Sequence, residues 1–398
     1  MGLRSLLPAV VLVGGAIAPL AANAQSASPV PYAGTPSTAL LVTATNEPRW
    51  AVGSDGLRHL EYDLLVTNGF LAPATLTRVD ALGPDGAVLA TLQGDALLAA
   101  TQPMLGDAPQ AAVPPSGTVA VVMDVAVAPD AMPPTVGHRI AYDLPADAPD
   151  LALIASREVA GPTLTVATRE PTVVASPLGG DGWVAFEGCC AASSVHRFER
   201  VPAGDHVAKA EMFAVDWVRL EDDLPATGDG SAVDQWFGYG AEVRSVADGT
   251  VVYARDDMPD QAPGATVRGI DRPEDFGGNQ VIVQTAPDVY AFYAHLQPGS
   301  VAVRVGDTVT TGQPVGRLGN SGHSTAPHLH FGLLETPNDV TGMAVPFAID
   351  DWTLAGTIDP AALAVSAATP GTGALPVAPA NVPQQGTLPL FLTVANFK

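Results

Sequence analysis

The stretch Asn279–Leu296 reads NQVIVQTAPDVYAFYAHL. It consists of short runs of β-branched and aromatic residues, a composition that suits a pleated strand better than a helix. The same texture extends to either side, in AEVRSVADGTVVYARD (241–256), VRVGDTVTTGQPVGRLG (303–319) and HLHFGLLE (328–335). Turn dipeptides separate the runs, and no amphipathic helical stretch of convincing length interrupts them. This half of the chain therefore reads as all-β.

Working outward, the earlier half has the same character. LEYDLLVTN (60–68) sets Tyr62, Leu64 and Val66 on one face. ATLTRVDALGPDGAVLATL (74–92) is a hairpin candidate turning at Gly83-Pro84-Asp85-Gly86. GTVAVVMDVAVA (117–128) and HRIAYDLPA (138–146) continue the series. Strands at roughly ten-residue spacing, with Gly/Pro turns, predict a β-sandwich of immunoglobulin-like kind. The domain plan that follows is a sandwich over 36–172, a second all-β domain over 173–366 and a Pro/Ala-rich extension over 367–398, of which LPLFLTVANF (388–397) can rejoin a sheet. The Asp, Pro and Gly in Asp256–Gly278 read as a surface loop. His59 and His138, lone histidines in strand patterns, read as structural.

The first residues, MGLRSLLPAVVLVGGAIAPLAANAQ, show a basic start, an apolar core and Ala22-Asn23-Ala24. This is the pattern of a secretory signal peptide over 1–24, and its apolar run is short for a membrane span. Residues 25–35 read as a flexible lead-in. The expectation is a secreted or periplasmic product with no stable membrane span after signal cleavage. The net charge is −23, with no basic run, which argues against nucleic acid as a partner. The only two cysteines, Cys189 and Cys190, are adjacent. A vicinal disulfide, two buried thiols and a cross-link to another chain are all open readings.

The chemistry concentrates in the second half. In a strand, His328 and His330 share one face while Leu329 and Phe331 take the other. Paired imidazoles suit zinc. YAHL adds His295, FAVDW sets Asp216 among apolar residues, and VHRF adds His196. A carboxylate in such a setting needs a partner or a metal.

Three stretches, FGYGAEVRSVADGTVVYA (237–254), GGNQVIVQ (277–284) and Tyr290–Glu335, resemble the lysostaphin/LytM-type zinc peptidases that cleave peptidoglycan cross-bridges. The resemblance covers the second domain only. It implies a compact antiparallel β peptidase domain with a zinc site in a groove, one zinc per chain, and peptidoglycan or another peptide as substrate. It assigns His330 and Asp216 as metal ligands, and His295 and His328 as catalytic groups. The family's remaining ligand is a His four residues before the Asp, where this chain has Met212. His196 is the expected replacement and His206 the alternative. The same gap keeps open a degenerate module that binds wall or activates other wall hydrolases as partners.

Overall fold

The computed structural model describes residues 34–104, 109–361, 363 and 373–398, so the signal-peptide segment and most of the lead-in lie outside the described residues. Alternation drives the first half. In β1 (Arg58–Asn68), Leu60, Tyr62, Leu64 and Val66 are all fully buried. They meet Val79 and Ala81 of β2 (Ala74–Leu82), Val121, Met123 and Val125 of β3 (Thr118–Val127), and Ile140 and Tyr142 of β4 (Thr135–Asp143) in one core. β1 pairs antiparallel with β3, and β2 with β4, in two separate sheets that share this core. That arrangement is a β-sandwich.

The opposite face of β1 breaks the usual rule for an outer sheet face. His59, Glu61 and Asp63 alternate with the core residues, yet they are buried too. The second half of the chain covers them, and residues 37–398 pack as one compact unit.

That second half is built on one long sheet. Its central strands are β5 (Gly180–Glu187), β6 (Val215–Arg219), β7 (Gly249–Arg255), β8 (Gln280–Ala286), β9 (Val289–Ala294) and β10 (Leu329–Leu334), ordered β5-β6-β10-β9-β8-β7. β11 (Phe347–Ile358), β12 (Val377–Thr387) and β13 (Thr393–Phe397) extend it beyond β5, with β13 seated between β5 and β11. The C-terminal residues thus contribute two strands. One face of the sheet buries Val215, Trp217, Tyr293, Leu329, Phe331 and Leu333 in a single core. Each large side chain there contributes about 2 kcal/mol by leaving water. The residues between them, Asp216, Ala294 and His330, must then point to the other face.

Among the described residues, helix is confined to short segments such as Gly94–Ala99. The chain is all-β, as its sequence pattern predicts.

Candidate metal centre

Register assembles the centre. Asp216 of β6 lies opposite His330 of β10, and His330 lies opposite Ala294 of β9. The residue after Ala294 is His295, which leaves the strand with φ +60°, the left-handed region. A histidine held there is a local strain that neighbouring contacts must sustain. Its backbone does so, donating N–H to Gly277 O at 2.9 Å and accepting from Gly319 N at 3.0 Å. His196 arrives separately, from a 3-10 turn Val195–Arg197 between β5 and β6.

His196, Asp216 and His330 offer ligand atoms that all lie within 4.8 Å of one another. Nε2 of His196 is 3.2 Å from Asp216 Oδ2, and Nδ1 of His330 is 2.8 Å from Asp216 Oδ1. Two imidazoles and a carboxylate at this spacing form a donor set suited to zinc, so these side chains fit the metal that the sequence resemblance implies. His206 is placed elsewhere, on an exposed hairpin beside Asp205. Met212 is fully buried in the apolar core.

Backbone carbonyls orient three of the four histidines. Nδ1 of His196 donates to Ala214 O at 3.1 Å, that of His295 to Ser321 O at 2.8 Å, and that of His328 to Ala326 O at 2.7 Å. Each bond fixes a tautomer and leaves Nε2 free to face the centre. Nε2 of His328 stands 3.5 Å from Asp216 Oδ2, and the His295 and His328 rings lie 4.6 Å apart. Ser324 links Asn320 and His328, and Ser321 ties the same loop to Leu296 O.

The electrostatics favour positive charge at this point. Burial works against a charged His196, but Asp216 and Glu211 outweigh it and hold the imidazole up at about 10. Burial likewise opposes ionisation of Asp216, and His196 and His328 overcome it, holding the carboxyl well below its usual range. His295 goes the other way, pushed well down by burial and by the charges of His328 and His330. The acidic groups around His196, Asp216 at 3.2 Å and Glu211 at 3.9 Å, favour a cation at this point.

Space lies on both sides of the centre. A cavity of about 130 Å³ is lined by His295, His330, Phe292, Glu199, Glu211 and Asp339. A larger one of about 490 Å³ runs past Asp216 and His328 between Phe186, Val218, Trp236 and Pro263. The Asp256–Gly278 loop thus borders the groove. Trp217 is core, and Tyr239 is tied to Asp260 at 2.7 Å. His323 is exposed and stacks on Phe276 at 5.0 Å.

Sequence reasoning missed Glu211, Glu199 and Asp339, which approach the centre from three separate segments. Only Glu211 carried a signal, as the neighbour of Met212. His59, read as a lone strand histidine, is not isolated: its ligand atom and those of Glu61, Asp124 and Cys190 all lie within 4.8 Å of one another. His59 sits between Asp55 and Asp124, and His138 bonds Tyr62. Cys189 and Cys190 form the vicinal disulfide.

Residues 230–341 match the model of peptidase family M23. This span contains His295, His328 and His330 and begins after His196 and Asp216. Glycyl-glycine endopeptidase ALE-1 of Staphylococcus capitis is 36% identical over 105 residues, 26% of this chain and 24% of its own length. Peptidoglycan DD-endopeptidase ShyA of Vibrio cholerae is 34% identical over 95 residues, 24% of this chain and 20% of its own. The chain thus spans a quarter or less of the length of these two curated relatives. Among solved structures, the catalytic domain of lysostaphin from Staphylococcus simulans is 24% identical, covering 36% of this chain and 80% of that one, with a TM-score of 0.22.

Proposed function

We propose that the chain is an exported zinc metalloendopeptidase that hydrolyses peptide bonds in peptidoglycan. The observation that carries the reading is the convergence of His196, Asp216 and His330 in a groove, with His295 and His328 beside them. The family match, a glycyl-glycine endopeptidase relative and a peptidoglycan DD-endopeptidase relative support the substrate class. In this reading residues 173–366 are the peptidase unit, 36–172 the sandwich and 367–398 an extension whose strands complete the sheet.

His196, Asp216 and His330 would hold the metal. Zinc, when bound, supplies Lewis acidity toward a peptide carbonyl and lowers the pKa of water to near neutral. The remaining work belongs to side chains. With Nδ1 of His295 and His328 committed to carbonyls, each Nε2 can accept a proton from water or pass one to the leaving amine. A protonated imidazole at His328 can donate to the oxyanion that develops at the scissile carbonyl. The two flanking cavities leave room for peptide on both sides of the scissile bond.

Zinc content and hydrolysis of purified sacculi test the reading together. Stoichiometric zinc, and loss of both zinc and activity in His330→Ala, are expected. A chain that holds no zinc and behaves identically after His330→Ala would instead be a non-catalytic wall-binding module.

A further inference from the structure

His196 reaches the centre from outside the sheet. A strand residue is held by its ladder on both sides, whereas His196 stands on a 3-10 turn. The resemblance places the equivalent ligand four residues before Asp216, where Met212 is buried in the core. The substitute ligand therefore needs an anchor of its own.

The sandwich provides one. Arg197, the next residue, is fully buried and pairs with Glu61, with Asp63 at 3.9 Å. Arg200 Nε donates to Asp63 Oδ2 at 2.7 Å. Lys209 Nζ donates to the same oxygen at 2.8 Å and to the Arg197 carbonyl at 2.7 Å. Three cations from the segment carrying His196 thus converge on two acids of β1. None of the five side chains is more than 5% exposed. Removing one partner from a pair buried this far from water leaves the other charge buried alone, which is costly.

We infer that Asp63 is a positioning residue of the metal centre. Through Arg197, Arg200 and Lys209 it fixes the turn that presents His196, so the sandwich is a working part of the centre rather than a spacer. The inference rests on the reading, proposed above, that His196 is a metal ligand.

The test uses the full chain. Zinc affinity is measured by competition with a chelator, alongside the visible spectrum of the Co²⁺-loaded protein, for Asp63→Asn, Arg200→Gln and a control, Asp80→Asn. Asp80 is itself inaccessible, in the other sheet of the sandwich, and is held by the half-exposed Arg78 and Arg139 at 2.8 and 2.7 Å, away from this segment. Asp63→Asn is expected to weaken zinc binding at least tenfold and to alter the cobalt spectrum. Arg200→Gln should do so severalfold, which covers the case in which Asp63→Asn does not fold. Asp80→Asn should lower thermal stability and leave affinity and spectrum unchanged. A folded Asp63→Asn or Arg200→Gln chain with wild-type affinity and spectrum would overturn the inference. Equal weakening by Asp80→Asn would also overturn it, by reducing the effect to general destabilisation. If the wild type takes no zinc, or His196→Ala binds it normally, the ligand assignment itself fails rather than the anchor.

Discussion

Two histidines separated by one leucine have different surroundings, and the difference predicts different losses. Nδ1 of His330 is 2.8 Å from Asp216, inside the proposed ligand set. Nδ1 of His328 is spent on Ala326 O, and its Nε2 stands 3.5 Å from Asp216. His328→Ala should lower kcat by about 10² to 10⁴ while leaving zinc content intact, the loss expected for a proton-transfer group. His330→Ala should remove the metal itself. Metal analysis beside turnover on sacculi separates the two, and zinc loss in His328→Ala would reverse the roles. His196→Ala and His206→Ala form a second contrast. The first should abolish zinc binding and the second should leave it unchanged, since His206 is exposed on a hairpin.

At the scale of elements, the groove floor is a ladder and its rim is a loop pinned by close backbone contact. Gly278 has φ +63°, and a Cβ there would stand 2.5 Å from the carbonyl carbon of Ser321. Ser321 O is the acceptor that orients His295. Gly278→Ala should therefore cost about 2 kcal/mol or more in stability. It should also lower kcat about tenfold with zinc retained, because the displaced carbonyl no longer fixes the His295 tautomer. Thermal melts and single-turnover kinetics check both effects, and unchanged kcat would show that Ser321 O does not position this ring. The ladder itself was legible in the sequence. Period-2 alternation put His328 and His330 opposite Leu329 and Phe331, and an aspartate among apolar residues marked Asp216. His196 was legible only as a choice between two histidines, because a 3-10 turn has no periodicity and its anchor lies over a hundred residues away, on β1. β12 was hidden for another reason. Pro379 and Pro383 cannot donate to a ladder, so Val377–Thr387 reads as a coil, yet it pairs with β11 alone, where a strand tolerates proline.

The whole molecule is joined by a buried ionic seam whose response to acid can be worked out. Burial opposes ionisation of Asp63, but Lys209, Arg200 and Arg197 overcome it and hold the carboxyl at about 2. An unfolded aspartate titrates near 3.9, so the folded chain binds this proton less readily than the unfolded one. Its contribution is therefore complete above about pH 4 and is lost as the pH falls toward 2. Glu61 has the opposite sign. Burial pushes it well above the usual range despite Arg197, with Asp124 and Asp63 adding to the rise. Any stability it contributes is present below its unfolded value of about 4.3 and fades as pH rises, outside the window of Asp63. Denaturant unfolding of the wild type and Asp63→Asn at pH 4.5 and 2.5 isolates the seam, since carboxylates remote from Asp63 cancel and Glu61 in the folded chain titrates above this interval. The wild type should lose about 2 kcal/mol more than the variant across this interval. Parallel losses would mean that Asp63 is not held ionised by its three cations, and the seam would then join the two halves by packing alone.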